Sequence, residues 1–347
     1  MMTDTTQASP PQGFSNVRRT RFWQRGFLAS QSAYVLAALI VLIVFMSFAS
    51  PNFLTAGNVG NIVRNFSFIA IATLGITLVI ITGGIDLSVG STIALTATVT
   101  SLTMAGLNQA AFQPFPGFAL IVSIAAGLAV AALIGFGNGV AIAKLKLSPF
   151  VTTLGTLSIV RGLTYVATYG RGTSPSGPDK DLFLAITSGH VAGIPVGFIY
   201  LILIAVIMWI VLNHTAWGRH VYAIGGNEAA GRLTGVPVDR VKIQVYVLCA
   251  LGAGINGIII SGWLGSAPAN LATGYELTII AAAVIGGANL AGGIGGAAGA
   301  IIGCVLIEVI RNGLVLARVD PYWQQTLVGC IIVAAVLVDR FRSLRNG

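Results

Sequence analysis

The chain has 347 residues, 55% of them hydrophobic and only 8% charged, with a formal net charge of +9 and a mean hydropathy of +0.88. Soluble domains carry about 25% charged residues, so this composition excludes a surface facing water on all sides and makes lipid the expected solvent. The 44 glycines suit an all-α bundle of spanning helices, where they permit close helix approach and non-helical turns.

In chain order, residues 1–32 form a polar tail with Arg18, Arg19, Arg21 and Arg25, followed by an apolar run from Ala33 to Ala49. Both parts are long for a cleaved signal peptide, so the run is read as an uncleaved first span. A span needs about 20 mostly apolar residues. On that measure spans fall at 33–50, 65–83, 88–107, 118–143, 149–168, 196–213, 243–262, 275–288, 296–316 and 322–338, ten in all. The chain then divides into a tail at 1–32, a transmembrane domain at 33–339 and a C-terminal tail at 340–347. Basic residues mark cytoplasmic loops. They gather in the N-terminal tail, at Lys144 and Lys146, at Arg219, Arg232, Arg240 and Lys242 in the loop at 214–242, and at Arg340, Arg342 and Arg345. With ten spans all of these share one side, and both termini are cytoplasmic. The positive charge reflects that bias and gives no case for nucleic acid. On the opposite side, Asp179 and Asp181 balance Arg171 and Lys180.

Between the second and third spans lies Gly83-Gly84-Ile85-Asp86-Leu87-Ser88-Val89-Gly90, which is echoed by Gly286-Gly287-Ala288-Asn289-Leu290-Ala291-Gly292-Gly293. A second echo pairs Asn138-Gly139 with Asn312-Gly313. Together they indicate an internal repeat, an architecture in which transporters place the substrate path at the repeat interface. The span count sets the two glycine motifs on the same side but the two Asn-Gly elements on opposite sides, a conflict that only a broken or re-entrant segment near the first motif would resolve. Asp86 is read first as a helix cap, because Asn289 at the matching place caps equally well. The second reading makes Asp86, Ser88 and Asn289 polar contacts on a substrate path, since a carboxylate at membrane depth is costly. Of the other intramembrane charges, Arg161 has no local partner and should meet backbone carbonyls or a carboxylate on another helix. Glu308 and Arg311 are spaced to pair on one helix face.

The 214–242 loop is structured. Gly225 and Gly226 break the chain, Asn227 is a good N-cap and Glu228 suits a first turn. Arg232 suits the last turn, Gly235 ends the helix and Pro237 prevents its return. A capped, exposed helix is more than a link requires and reads as a docking site for a cytoplasmic partner. Cys249, Cys304 and Cys330 lie in apolar runs without metal spacing and read as small buried hydrophobes. There is no HExxH motif and no GxxxxGK[ST] phosphate loop, so no metal or cofactor is expected, and an energy source must come from another subunit or an ion gradient.

The stretches TGGIDLSVGS, TLGTLSIVRGL, GRHVYAIGGNEAAGRLTGV and GGANLAGGIGG resemble the membrane subunit of bacterial ABC importers for ribose, xylose, arabinose and related sugars. The resemblance runs from about Asn52 to Gly329. It implies a permease of the bacterial inner membrane that dimerises with itself or a related chain, receives a sugar from a periplasmic binding protein and is driven by a cytoplasmic ATP-binding subunit. It also implies that Gly225, Gly226, Asn227, Glu228 and Arg232 dock that subunit. The chain departs from the family pattern in its long polar N-terminal tail and at Tyr169-Gly170-Arg171-Gly172-Thr173, where a glycine-arginine-proline run is expected. The alternative is an ion-coupled secondary transporter of a small polar solute using Asp86 with Glu276 or Glu308. A channel or an enzyme lacks any matching constellation of residues.

Overall fold

The computed structural model describes residues 31–109 and 113–320, together with 323, 326, 327, 329 and 330. The helices are α1 (Gln31–Ala49), α2 (Ala56–Ile81), α3 (Val89–Gln109), α4 (Phe118–Ala143), α5 (Pro149–Thr168), α6 (Lys180–Ser188), α7 (Val196–His214), α8 (Ala216–Gly226), α9 (Glu228–Leu233), α10 (Val238–Leu264), α11 (Tyr275–Ile285) and α12 (Ala297–Leu316). Two short strands, β1 (His190–Val191) and β2 (Ile194–Pro195), pair antiparallel between α6 and α7. This is an all-α polytopic membrane protein.

Seven of the described helices are long and apolar enough to cross a membrane: α2, α3, α4, α5, α7, α10 and α12. The expected spans at 33–50 and 275–288 correspond to shorter apolar stretches, Ala33–Ala49 and Tyr275–Ile285. The tenth expected span falls largely outside the described residues, as do most of the N-terminal tail and the whole C-terminal tail.

Helix α2 is the axis of the bundle. Every residue from Phe66 to Ile81 is buried, as expected of a helix that is apolar all round. It packs on α10, α12, α7 and α11, while α10 also packs on α3 and α4. Helix α5 is the most open of the seven spanning helices, with Thr153, Val160, Thr164 and Thr168 as its buried residues.

At one end of the bundle the chain turns at 82–88, between α4 and α5, through α8–α9 and at 286–296. At the other, Asn58 on α2 exchanges side-chain hydrogen bonds of 2.8–3.0 Å with Asn312 on α12, and Thr173 bridges Ala267. Asp179 sits at this second end, where it has a local role besides its charge. Its carboxylate accepts the N–H groups of Gly117 (3.0 Å) and Leu120 (3.2 Å), capping α4 from a distant part of the chain. Glu308 accepts a 3.0 Å hydrogen bond from Asn65 on α2, and Arg311 acts on it electrostatically without a salt bridge among the described residues.

Candidate functional site

Asp86 lies in the turn joining α2 to α3, 1% exposed. Its Oδ1 accepts the backbone N–H of Ser88 at 2.8 Å and the Ser88 hydroxyl at 2.6 Å. Helix α3 begins one residue later, at Val89. Asp86 therefore holds the turn that precedes the helix and does not itself cap the helix's free N–H groups. Asn138 on α4 donates to Ser88 Oγ at 3.0 Å, and the hydroxyl of Thr156 on α5 donates to Asn138 at 2.6 Å. Tyr246 on α10 donates to the carbonyl of Ile85 at 3.2 Å. The turn is thus tied by side chains to α4, α5 and α10.

Asn289 forms the matching turn in the second motif, its Oδ1 accepting the N–H of Ala291 at 2.9 Å. Both copies share a side-chain-to-backbone bond two residues on, the Asx turn that Asp and Asn both support. Asp86 is buried and Asn289 exposed, yet the two turns adjoin: the N–H of Gly293 donates to the carbonyl of Ile81 at 2.9 Å. The Asn-Gly echo does not follow this pairing. Asn138 lies beside the end of α2, against Ser88, whereas Asn312 lies beside its start, against Asn58.

The loop after α7 opens on a helix that periodicity alone does not reveal. Thr215 accepts the N–H of Gly218 at 3.1 Å and caps α8. Gly225 and Gly226, expected to break the chain, form the last turn of α8. The break falls at Asn227, which caps α9 by accepting the N–H of Ala230 at 3.0 Å. Gly235, with φ +84°, ends the unit. Glu228 accepts from Arg232 at 3.0 Å and from Lys242, while Arg232 also reaches Asp239 and Lys146 reaches Asp239 at 3.1 Å. Burial by itself would raise the Glu228 carboxyl, but the hydrogen bonds from Lys242 and Arg232 outweigh it and hold the group below its ordinary value.

The two halves of the site meet at Gly225. A Cβ there would lie 1.7 Å from the carbonyl oxygen of Ile81 and 2.4 Å from the nitrogen of Gly293. Gly292 returns the contact with φ +93°, where a Cβ would lie 2.7 Å from the carbonyl oxygen of Gly225. Tyr222 on α8 adds a 2.8 Å hydrogen bond to the carbonyl of Gly295. The end of α8 is therefore in backbone contact with both glycine turns. Ile81, Gly292 and Gly293 were not read as site residues from the sequence, although the glycine pair in the second motif was the available signal.

The sequence matches, over residues 58–336, the family described as branched-chain amino acid transport system / permease component. The chain belongs to this permease family. Over 320 residues it is 41% identical to the ribose import permease protein RbsC of Escherichia coli, covering 92% of this chain and 96% of that one. It is 38% identical over 305 residues to the ribose import permease protein RbsC of Bacillus subtilis, covering 88% and 91%. It is also 34% identical over 326 residues to the galactose/methyl galactoside import permease protein MglC of E. coli, covering 92% and 96%. The permease is a multi-pass transport component, and the family match at 58–336 takes in every described helix except α1 and the first two residues of α2.

Proposed function

We propose that this chain is the membrane-spanning permease of an ATP-driven importer that carries a monosaccharide or similar small polyol across the bacterial inner membrane. The observation that carries the reading is the identity of 41% over 92% of the chain to a permease named for ribose. The family description names amino acids, so substrate class rests on the relatives, and hydroxyl-bearing solutes fit them.

In this reading the permease domain at 33–339 crosses the membrane ten times, with the tails at 1–32 and 340–347 both cytoplasmic. Asp86, Ser88 and Asn289 border the solute route, where a broken segment at the glycine turns is kept in place by the side chains around it. The unit at 214–242 faces a cytoplasmic ATP-binding subunit, contacting it through α9 and the residues Gly225, Gly226, Asn227, Glu228 and Arg232. A periplasmic sugar-binding protein delivers the solute, and a second permease chain completes the assembly within the lipid.

The test of substrate class is uptake in cells lacking their own ribose permease but supplied with this chain and its partner subunits. Labelled ribose or another monosaccharide should enter, and excess leucine should not compete. Uptake of leucine with no sugar uptake would overturn the sugar reading.

A further inference from the structure

Between α10 and α11, residues 265–274 form no regular element, yet Ala267, Ala269, Leu271 and Ala272 are buried. The stretch starts at the end of the bundle where Thr173 bridges Ala267. It then runs inward until Ala272 lies against the first turn of α3. A Cβ at Gly90 would sit 2.7 Å from the Ala272 carbonyl oxygen and 2.2 Å from Glu276 Oε2, so only glycine admits both. Non-helical backbone within a membrane bundle needs partners for its carbonyls. Arg161 supplies them, its Nη1 donating to Leu271 at 2.8 Å and to Ala269 at 3.3 Å.

Arg161 makes no salt bridge among the described residues. The carboxylate that acts on it electrostatically is Glu276, in the first turn of α11. Glu276 Oε2 is buried with no hydrogen-bond partner among the described residues. An unpaired buried carboxylate oxygen in the electrostatic field of a cation that spends its donors on neutral carbonyls leaves a second, stronger pairing unmade. The guanidinium is on α5 and the carboxylate on α11, and the segment that the guanidinium holds leads directly into α11, so a shift of that segment also moves the carboxylate.

We propose that Arg161 is a positioning residue for import: it pins 265–274 into the bundle in this arrangement and moves to Glu276 when that segment shifts to pass the solute. The inference rests on the importer reading for its link to transport. Its structural half, the pinning of the segment, can be read without any solute.

The test uses the full chain in proteoliposomes with its ATP-binding subunit and binding protein. Cys249, Cys304 and Cys330 are replaced by Ala, and Ala269→Cys serves as a reporter, because Ala269 is only 5% exposed. The readouts are the rate of labelling by a membrane-impermeant maleimide and the split between KM and Vmax of sugar uptake. Arg161→Gln should raise labelling about tenfold, roughly the weight of one charge-assisted hydrogen bond, and lower Vmax with KM unchanged. Arg161→Lys, which keeps the charge and a donor, should fall between Arg161→Gln and the parent, and carries the test if the glutamine variant does not fold. Glu276→Gln should also lower Vmax, but with labelling no higher than in the parent, since the segment stays pinned. Unchanged labelling in both arginine variants, or a rise in labelling in both Arg161→Gln and Glu276→Gln, would overturn the proposal. A raised KM at unchanged Vmax would also overturn it, by placing the guanidinium on the solute itself. Failure of uptake in the parent with the labelling pattern intact would instead count against the importer reading alone.

Discussion

Replacing Gly225 by alanine should destabilise the permease, whereas the same change one residue later should not. The three nearest atoms to the new methyl at 225 are all backbone: Ile81 O at 1.7 Å, Gly293 N at 2.4 Å and Ile81 C at 2.9 Å. None of them belongs to a side chain that could swing aside. Since a real Cβ is essentially never found within 3.0 Å of such an atom, the end of α8 and the end of α2 must separate by more than an ångström. Overpacking of this kind costs about 1–3 kcal/mol. The separation also breaks the 2.9 Å bond from Gly293 to Ile81, leaving groups whose unmade bond costs roughly 1–3 kcal/mol. Against this, alanine is favoured over glycine in a helix by at most about 1 kcal/mol, so the net is a loss of roughly 1–6 kcal/mol. At Gly226 nothing lies within 4 Å of the added methyl, and only the favourable helix term remains. Thermal melting of the purified permease in detergent should therefore move down for Gly225→Ala and stay level or rise for Gly226→Ala. Equal melting temperatures for Gly225→Ala and the parent would refute the close backbone contact from which the argument starts.

Three further outcomes follow from the same geometry. Asp86→Asn keeps an oxygen for the Ser88 N–H and should retain most uptake, whereas Asp86→Ala strands two buried donors at roughly 1–3 kcal/mol each and should reduce membrane abundance; equal abundance of the two variants would contradict the turn-holding role. Asn227→Ala removes the α9 cap, worth about 0.5–2 kcal/mol, and should speed hydrogen exchange in α9 without altering that of α10. The Glu228 carboxyl lies below its ordinary value of 4.5 when folded. The support it gives α9 is therefore complete above that value and lost as pH falls through the folded value. Because Glu228 is 37% exposed the effect is modest and weakened by salt, and it should appear as a loss of α9 exchange protection in acid that Glu228→Gln does not show.

Much of this molecule was legible in its sequence because lipid imposes long apolar runs. The expected spans at 118–143 and 149–168 coincide with α4 and α5. The α9 unit was legible for a different reason: Asn227 and Gly235 each act on the local backbone, and each does so in the structure, whereas a helix resumes at Val238 directly after Pro237. Arg161 was expected to find carbonyls or a distant carboxylate and finds the carbonyls. What could not be read depends on contacts across the chain. The cap on α4 comes from Asp179, well outside any local window. Helix α8 is short, and its signal reduces to one threonine. Cys330 is exposed rather than buried, and nothing in its apolar run foretold this. The reading of Gly225 as a chain breaker failed because glycine signals a close approach as well as it signals a break, and only the position of Ile81 tells the two apart. The same ambiguity hid the irregular stretch at 265–274, whose place inside the bundle is set by a guanidinium on another helix.

The central claim is that ATP, acting through a partner subunit at α8–α9, drives this permease. The most direct measurement is sugar accumulation in proteoliposomes holding the permease, its ATP-binding subunit and its binding protein, with ionophores present to remove proton and sodium gradients. The account predicts undiminished, ATP-dependent accumulation, abolished when the ATP-binding subunit is left out. Uptake that stops once the gradients are gone while ATP remains would contradict it and assign the transport to ion coupling.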